Sequence, residues 1–264
     1  MFTNKYIFTY ASIMVILVAA ILSTASMVLK PYQEANIKAE KIQGILASAK
    51  IETSRDDAAS VFDLHIVEQL AVDAEGNIVM TTKDTVTTWN EDYKKLRELV
   101  KYKSPFEIKL KEELKIQALI KEGKATERPA IFPIFKLKKD GKEYFSVPVR
   151  GLGLWGPVWG NIAFESDFNT IAGAIFDHKG ETPGLGAEIN QGWFEGEFTG
   201  KTIFDKQHKF VSVAVVKGGV ANSPIDPKHG VDAISGGTIT SNGVSDMLQN
   251  CLENYVPYID KTLK

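Results

Sequence analysis

The first pattern along the chain is a run without charge. From Tyr6 to Leu29 every position is apolar or a small polar residue; these roughly 24 residues would reach about 36 Å as a helix, enough to cross a bilayer core of about 30 Å. The run is longer than the apolar core of a cleaved leader, and Met27, Val28 and Leu29 continue it past the small pair Ala25-Ser26, so it reads as a membrane anchor over residues 1–30. Pro31 is expected to stop this helix. Apolar residues Ile37, Ile42, Ile45 and Leu46 then restart a helical period, a stalk leaving the membrane.

Beyond the stalk the period changes. Two short β-prone runs flank Glu75-Gly76-Asn77, and a Lys- and Glu-rich segment over 92–124 reads as helix with a solvated face. From Phe132 strands dominate: a hairpin about Asp140-Gly141, then runs over 156–167 and 170–178, and a strand from Phe210 to about Lys217. The Pro- and Gly-rich stretch 223–238 is expected to be loop. Val244, Met247, Leu248, Cys251, Leu252, Tyr255 and Val256 then mark a terminal helix by their spacing, with Thr240, Ser241 and Asn242 as candidate caps. The expected architecture is α+β, a largely antiparallel sheet with flanking helices behind one N-terminal transmembrane helix. Its parts are the anchor 1–30, a stalk and N-terminal α/β part 31–130, and a domain over 131–264.

Composition narrows the chemistry. The chain of 264 residues has one cysteine, which excludes an internal disulfide framework, a cysteine zinc site and an iron–sulfur cluster held by this chain alone. With 31 basic and 33 acidic residues there is no global electrostatic case for nucleic acid. Cys251 falls on the apolar stripe and reads as a buried hydrophobe.

Two segments are denser in Gly, hydroxyl and acidic residues than a plain connection needs. One is HKGETPGLG, His178 to Gly186, directly after a strand. The other is DAISGGTITS, Asp232 to Ser241, leading into the terminal helix. Glycine pairs let backbone approach another group closely, and the free N–H groups of a helix start favour an anion such as a phosphate. No Lys follows a G-x-x-x-x-G spacing, so this is not a Walker loop, and no dinucleotide fingerprint is present; the glycines of GLGLWG, 151–156, do not have that spacing.

DAISGGTITS resembles the D-x-x-[ST]-G-[AS]-T signature at which a flavin transferase attaches FMN, and HKGETPGLG resembles the E-T-P-G-L-G segment of the same FMN-binding domain. Asn36, Ile45 and Leu46 in the stalk, the GLGLWG stretch and the terminal helix follow in the same order. On these residues the chain resembles the C subunit of the sodium-translocating NADH:quinone reductase, with the G subunit of the related Rnf electron-transport complex as a cousin. One position departs: Gly237 stands where Ala is common.

The resemblance implies FMN joined by a phosphoester to Thr238, with Ser235, Gly236, Gly237 and Thr240 around the phosphate and ribityl chain. It places Glu181, Thr182, Leu185 and Gly186 along the ring or ribityl side, Leu154 and Trp155 against it, and Lys217 near it as a charge partner. It implies an electron relay that binds no NADH. The partners are an iron–sulfur donor subunit, a flavin acceptor subunit and the maturing transferase. The implied location is a bacterial inner membrane, with the N-terminus cytoplasmic and the soluble domain periplasmic. An Rnf-type subunit and a membrane-tethered FMN-binding sensor remain the alternatives.

Overall fold

A computed structural model describes residues 3–262. Helix α1 runs from Asn4–Ser48 as one rod, exposed through Tyr6 to Leu29 and buried at Ile42, Ile45, Leu46 and Ser48. Among the described residues it is the one helix long and apolar enough to cross a membrane. Pro31 lies inside it, so the expected break does not occur. A mid-helix proline costs one hydrogen bond and a ring clash, about 3 kcal/mol; here the helix continues on its C-terminal side because Ile42, Ile45 and Leu46 are packed into the body.

Helix α2, Ala58–His65, leads into strand β1, Ile66–Asp73, which pairs with β2, Ile78–Lys83, across the turn at Gly76 (φ 80°). Strand β3 is Val86–Trp89; helices α3, Lys94–Leu99, and α4, Leu110–Lys121, form the charged segment. Strands β4, Ile131–Lys139, and β5, Lys142–Leu152, make the expected hairpin, with Asp140 at φ 51° and Gly141 at φ 79°. These are the left-handed angles that a two-residue turn matched to strand twist requires. Strands β6, Pro157–Phe164, and β7, Ile171–His178, complete an antiparallel seven-stranded sheet in the order β3-β2-β1-β4-β5-β6-β7. One sheet thus spans residues on both sides of position 130, through the β1–β4 pairing.

The chain continues through the short helix α5, Gly192–Gly196, and strands β8, Ala214–Val216, and β9, Gly230–Asp232, which pair in parallel. Helix α6 is Thr238–Leu252, and α7 is Val256–Thr262. Three expectations change here. The strand expected over 210–217 is confined to β8, because Ser212 takes φ 60° and Phe210 forms only an isolated bridge with Phe204. The stretch expected to be loop contains a 3-10 turn, Pro227–His229, and β9, whose Val231 is buried in the core. The terminal helix starts at Thr238 with Gly237 as N-cap and no side-chain cap. Thr240, Ser241 and Asn242 are therefore inside it.

Helix α6 covers one face of the sheet. Its buried stripe of Val244, Met247, Leu248, Cys251 and Leu252 meets Val147, Val149, Val158 and Phe176. At Gly151 a Cβ would lie 2.7 Å from that of Met247, and at Gly243 a Cβ would lie 2.1 Å from the Leu152 carbonyl oxygen. Glycine at these two positions lets α6 lie almost against β5. The C-terminal end of α1 covers part of the opposite face, where Gly173 admits the Ser48 carbonyl, 2.4 Å from where a Cβ would stand. There the Ser48 and Ser146 hydroxyls also bond at 2.9 Å.

Candidate functional site

The sheet brings three separate segments to one end. β5 and β6 run into the turn over 153–156, β7 runs into the loop that begins at Lys179, and α6 starts beside both. The carboxylate of Glu181 joins them. It accepts the N–H groups of Leu154 at 3.3 Å and Trp155 at 2.9 Å and the Thr240 hydroxyl at 2.6 Å. The side chain is buried. Burial pushes its pKa up, but the Thr240 hydroxyl and the N–H groups of Trp155, Leu154 and Gly156 outweigh that and hold it below the usual carboxylate value. His178 braces the same loop, its Nδ1 taking the Glu181 N–H at 3.1 Å.

Close approach explains the glycines. A Cβ at Gly186 would lie 2.3 Å from Thr240 Oγ1 and 2.7 Å from a Glu181 carboxylate oxygen; one at Gly153 would lie 2.6 Å from the other carboxylate oxygen. Gly236, at φ 75°, sits under Leu185, whose Cδ2 would be 2.6 Å from a Cβ there.

These contacts leave a groove of about 250 Å³ lined by Leu154, Glu181, Thr182, Leu185, Gly186 and the first turn of α6 with its two preceding glycines. Thr238, at the first position of α6, is half-buried in that lining. The first helical backbone bond runs from the Ser241 N–H to the Gly237 carbonyl at 2.9 Å. The N–H groups of Thr238, Ile239 and Thr240 therefore have no partner one turn earlier in the helix, and the positive end of its dipole faces the groove.

Of the residues that the sequence put forward, Thr238, Gly236, Gly237, Thr240, Glu181, Thr182, Leu185, Gly186 and Leu154 come together as the lining. Trp155 stands exposed beside it, its indole N–H donating to the Thr182 hydroxyl at 3.1 Å. Ser235 is exposed on the loop before the glycines, and Lys217 is exposed just beyond β8, both outside the lining. Asp232 is also turned away, accepting the Val220 N–H at 2.7 Å. The residue that sequence reasoning passed over is Ile239, which lines the groove and is 58% exposed. A signal existed: it stands five residues before Val244, about 140° around the helix from the buried stripe.

The FMN-binding domain model matches residues 153–253, which begin in the turn beside Glu181 and end at the close of α6. The C subunit of the Na+-translocating NADH-quinone reductase from Vibrio campbellii is 34% identical over 226 residues, covering 85% of this chain and 81% of that one. The chain belongs to the family of C subunits of these reductases. The Neisseria meningitidis serogroup B member is 34% identical over 248 residues, 92% of this chain and 88% of its own length. The crystal structure of the same subunit from Parabacteroides distasonis superposes with a TM-score of 0.67 at 35% identity, over 88% of this chain and 96% of that one. Membership thus falls on the reductase rather than on the Rnf cousin, and the likeness extends well beyond the FMN-binding segment.

Proposed function

We propose that the chain is the electron-relaying subunit of a sodium-translocating NADH:quinone reductase and carries FMN as a phosphoester on Thr238. The observation that carries the reading is the placement of Thr238. It is a hydroxyl at the first position of an uncapped helix, in a groove walled by the two glycines before it and by Leu185 and Leu154.

The residues present fit such a group. The Thr238 oxygen would bond to the phosphorus of the incoming flavin nucleotide, FAD, with AMP leaving and the hydroxyl proton released. Gly236 and Gly237 keep the backbone around that oxygen clear of side chains, while the unpartnered N–H groups of α6 balance the remaining phosphodiester charge. Leu154, Leu185 and Ile239 give the groove an apolar rim against which a ring would be shielded from water. Glu181 acts through the frame: it pins the 153–156 turn to α6 and so fixes the groove's width. Bound there, the flavin would supply the redox chemistry that the polypeptide lacks. Partners would be an iron–sulfur donor and a flavin acceptor in the same complex, with α1 as a single-pass anchor in the inner membrane and the body on the periplasmic side.

The test is intact mass. Protein produced with its flavin transferase should exceed the polypeptide mass by one FMN less water, Thr238→Ser should retain the increment, and Thr238→Ala should abolish it. Wild-type protein without the increment would overturn the reading.

A further inference from the structure

β7 ends at His178, and three residues later Glu181 already faces inward. Little holds the chain between them. The last ladder bond runs from the Lys179 N–H to the Pro157 carbonyl at 3.0 Å. Lys179 and Gly180 are exposed, and a Cβ at Gly180 would meet nothing within 4 Å. The next backbone bonds come at the Thr182 carbonyl, which accepts the N–H groups of Leu185 and Ala187 at 3.1 Å. A glycine in open space has the widest choice of backbone angles and cannot by itself direct the residue that follows.

One side chain closes the gap. His178 Nδ1 lies 3.1 Å from the Glu181 nitrogen. A backbone N–H can only donate, so Nδ1 is the acceptor, and an imidazole that accepts at Nδ1 is neutral and carries its proton on Nε2. The bond spans three residues, as a side-chain cap at a helix start does, and replaces the backbone turn that the chain lacks here. The neighbouring Asp177 carboxylate takes the His178 N–H instead, at 2.7 Å.

Several contacts then depend on where Glu181 is placed. Its carboxylate reaches the Trp155 N–H at 2.9 Å and the Thr240 hydroxyl at 2.6 Å, and the hydroxyl of the next residue, Thr182, accepts the Trp155 indole N–H at 3.1 Å. Glu181 and Thr182 both line the groove, while His178 is outside the lining.

We propose that His178 is a positioning residue for the flavin: as a neutral imidazole protonated on Nε2 it turns Glu181 and Thr182 toward α6 and the 153–156 turn, and so fixes the groove in the form that receives the cofactor. This role rests on the reading of the groove as the flavin site.

Two measurements on the full chain test it. The protein has four histidines, so isotope labelling of histidine nitrogen gives few resonances, and those lost in His178→Asn belong to His178. In flavin-free folded protein at mildly alkaline pH they should show a protonated Nε2 and a bare Nδ1; a protonated Nδ1 overturns the proposal. The second measurement compares isosteres. Asn carries Oδ1 as many bonds from the backbone as Nδ1, whereas Gln carries its acceptor one bond farther. With the flavin transferase and FAD, His178→Asn should gain the FMN mass increment within about twofold of the wild-type rate and give the wild-type visible circular dichroism. His178→Gln should load roughly fivefold more slowly, the effect of one lost hydrogen bond, and its dichroism should differ. Asn and Gln variants that behave alike overturn the proposal, whatever their stability. Wild-type protein that takes up no FMN overturns the functional reading, and the tautomer, read without flavin, is the separate measure of His178.

Discussion

The Thr240 hydroxyl donates to the Glu181 carboxylate across 2.6 Å, tying the first turn of α6 to a loop 59 residues earlier in the chain. The pair sets the geometry of the groove without either residue needing to touch what the groove holds. Glu181→Gln keeps the size of the side chain but turns an acceptor into a donor against N–H groups. It should lower stability by about 1–3 kcal/mol, the cost of leaving buried donors unsatisfied, and reduce the fraction of protein that acquires flavin. Denaturant unfolding and intact mass measure the two effects. The folded-state pKa is depressed below 4.5, so the carboxylate's contribution is present above about that pH and is lost as pH falls through the folded value. Wild-type and Glu181→Gln stabilities should therefore converge in acid.

Gly186→Ala tests the same contact sterically. Its Cβ would stand 2.3 Å from Thr240 Oγ1, and the neighbour is a buried side chain on a packed helix that cannot swing away. A loss of about 1–3 kcal/mol is expected, as for other overpacked sites. Thermal unfolding of the variant beside Gly184→Ala gives the comparison. Gly184 has open space around it but sits at φ 75°, so that variant reports backbone strain alone.

Glu195 is a half-buried acid that works against the fold at neutral pH. Burial pushes its pKa up to about 7, and the nearby Asp177 charge adds to this, while the Phe176 N–H opposes it. Between about 4.5 and 7 the folded state holds a proton that the unfolded state has released, so stability from this group falls as pH rises through that window. Glu195→Gln should flatten the fall, with unfolding midpoints measured from pH 5 to 8 as the readout.

The N-terminal part of the body has its own buried ion pair. Arg128 makes two bonds of 2.7 Å to Glu113, which also accepts the Tyr102 hydroxyl at 2.9 Å and the Ile131 N–H at 3.0 Å. Arg128→Met should cost about 3–5 kcal/mol, because it leaves Glu113 charged, fully buried and without its cation. Adding Glu113→Gln should recover part of that loss in a double-mutant cycle.

Local patterns carried much of the fold. The long apolar helix at the N-terminus, the Asp140-Gly141 hairpin and the stripe on α6 were legible because a continuous apolar run, a turn needing two positive φ angles and a helical period are all written in neighbouring residues. Strand β9 and the continuation of α1 through Pro31 were not. β9 exists because Val231 finds the core beside β8, and the helix passes Pro31 because its far end is packed into the body. Both depend on partners distant in the chain.

The same division holds at the site. Residue types and spacing singled out the two segments 178–186 and 232–241, since open backbone and a helix start are local requirements, and the family resemblance then put forward Thr238 and the residues from Glu181 to Gly186 within them. The tertiary structure decided that Glu181 faces inward as the clasp between three segments, that Ile239 joins the rim and that Lys217 stands outside it. These are matters of which surfaces meet once the sheet is closed by α6 on one face and partly covered by α1 on the other. Sequence spacing cannot express them, because the residues concerned become neighbours only through packing.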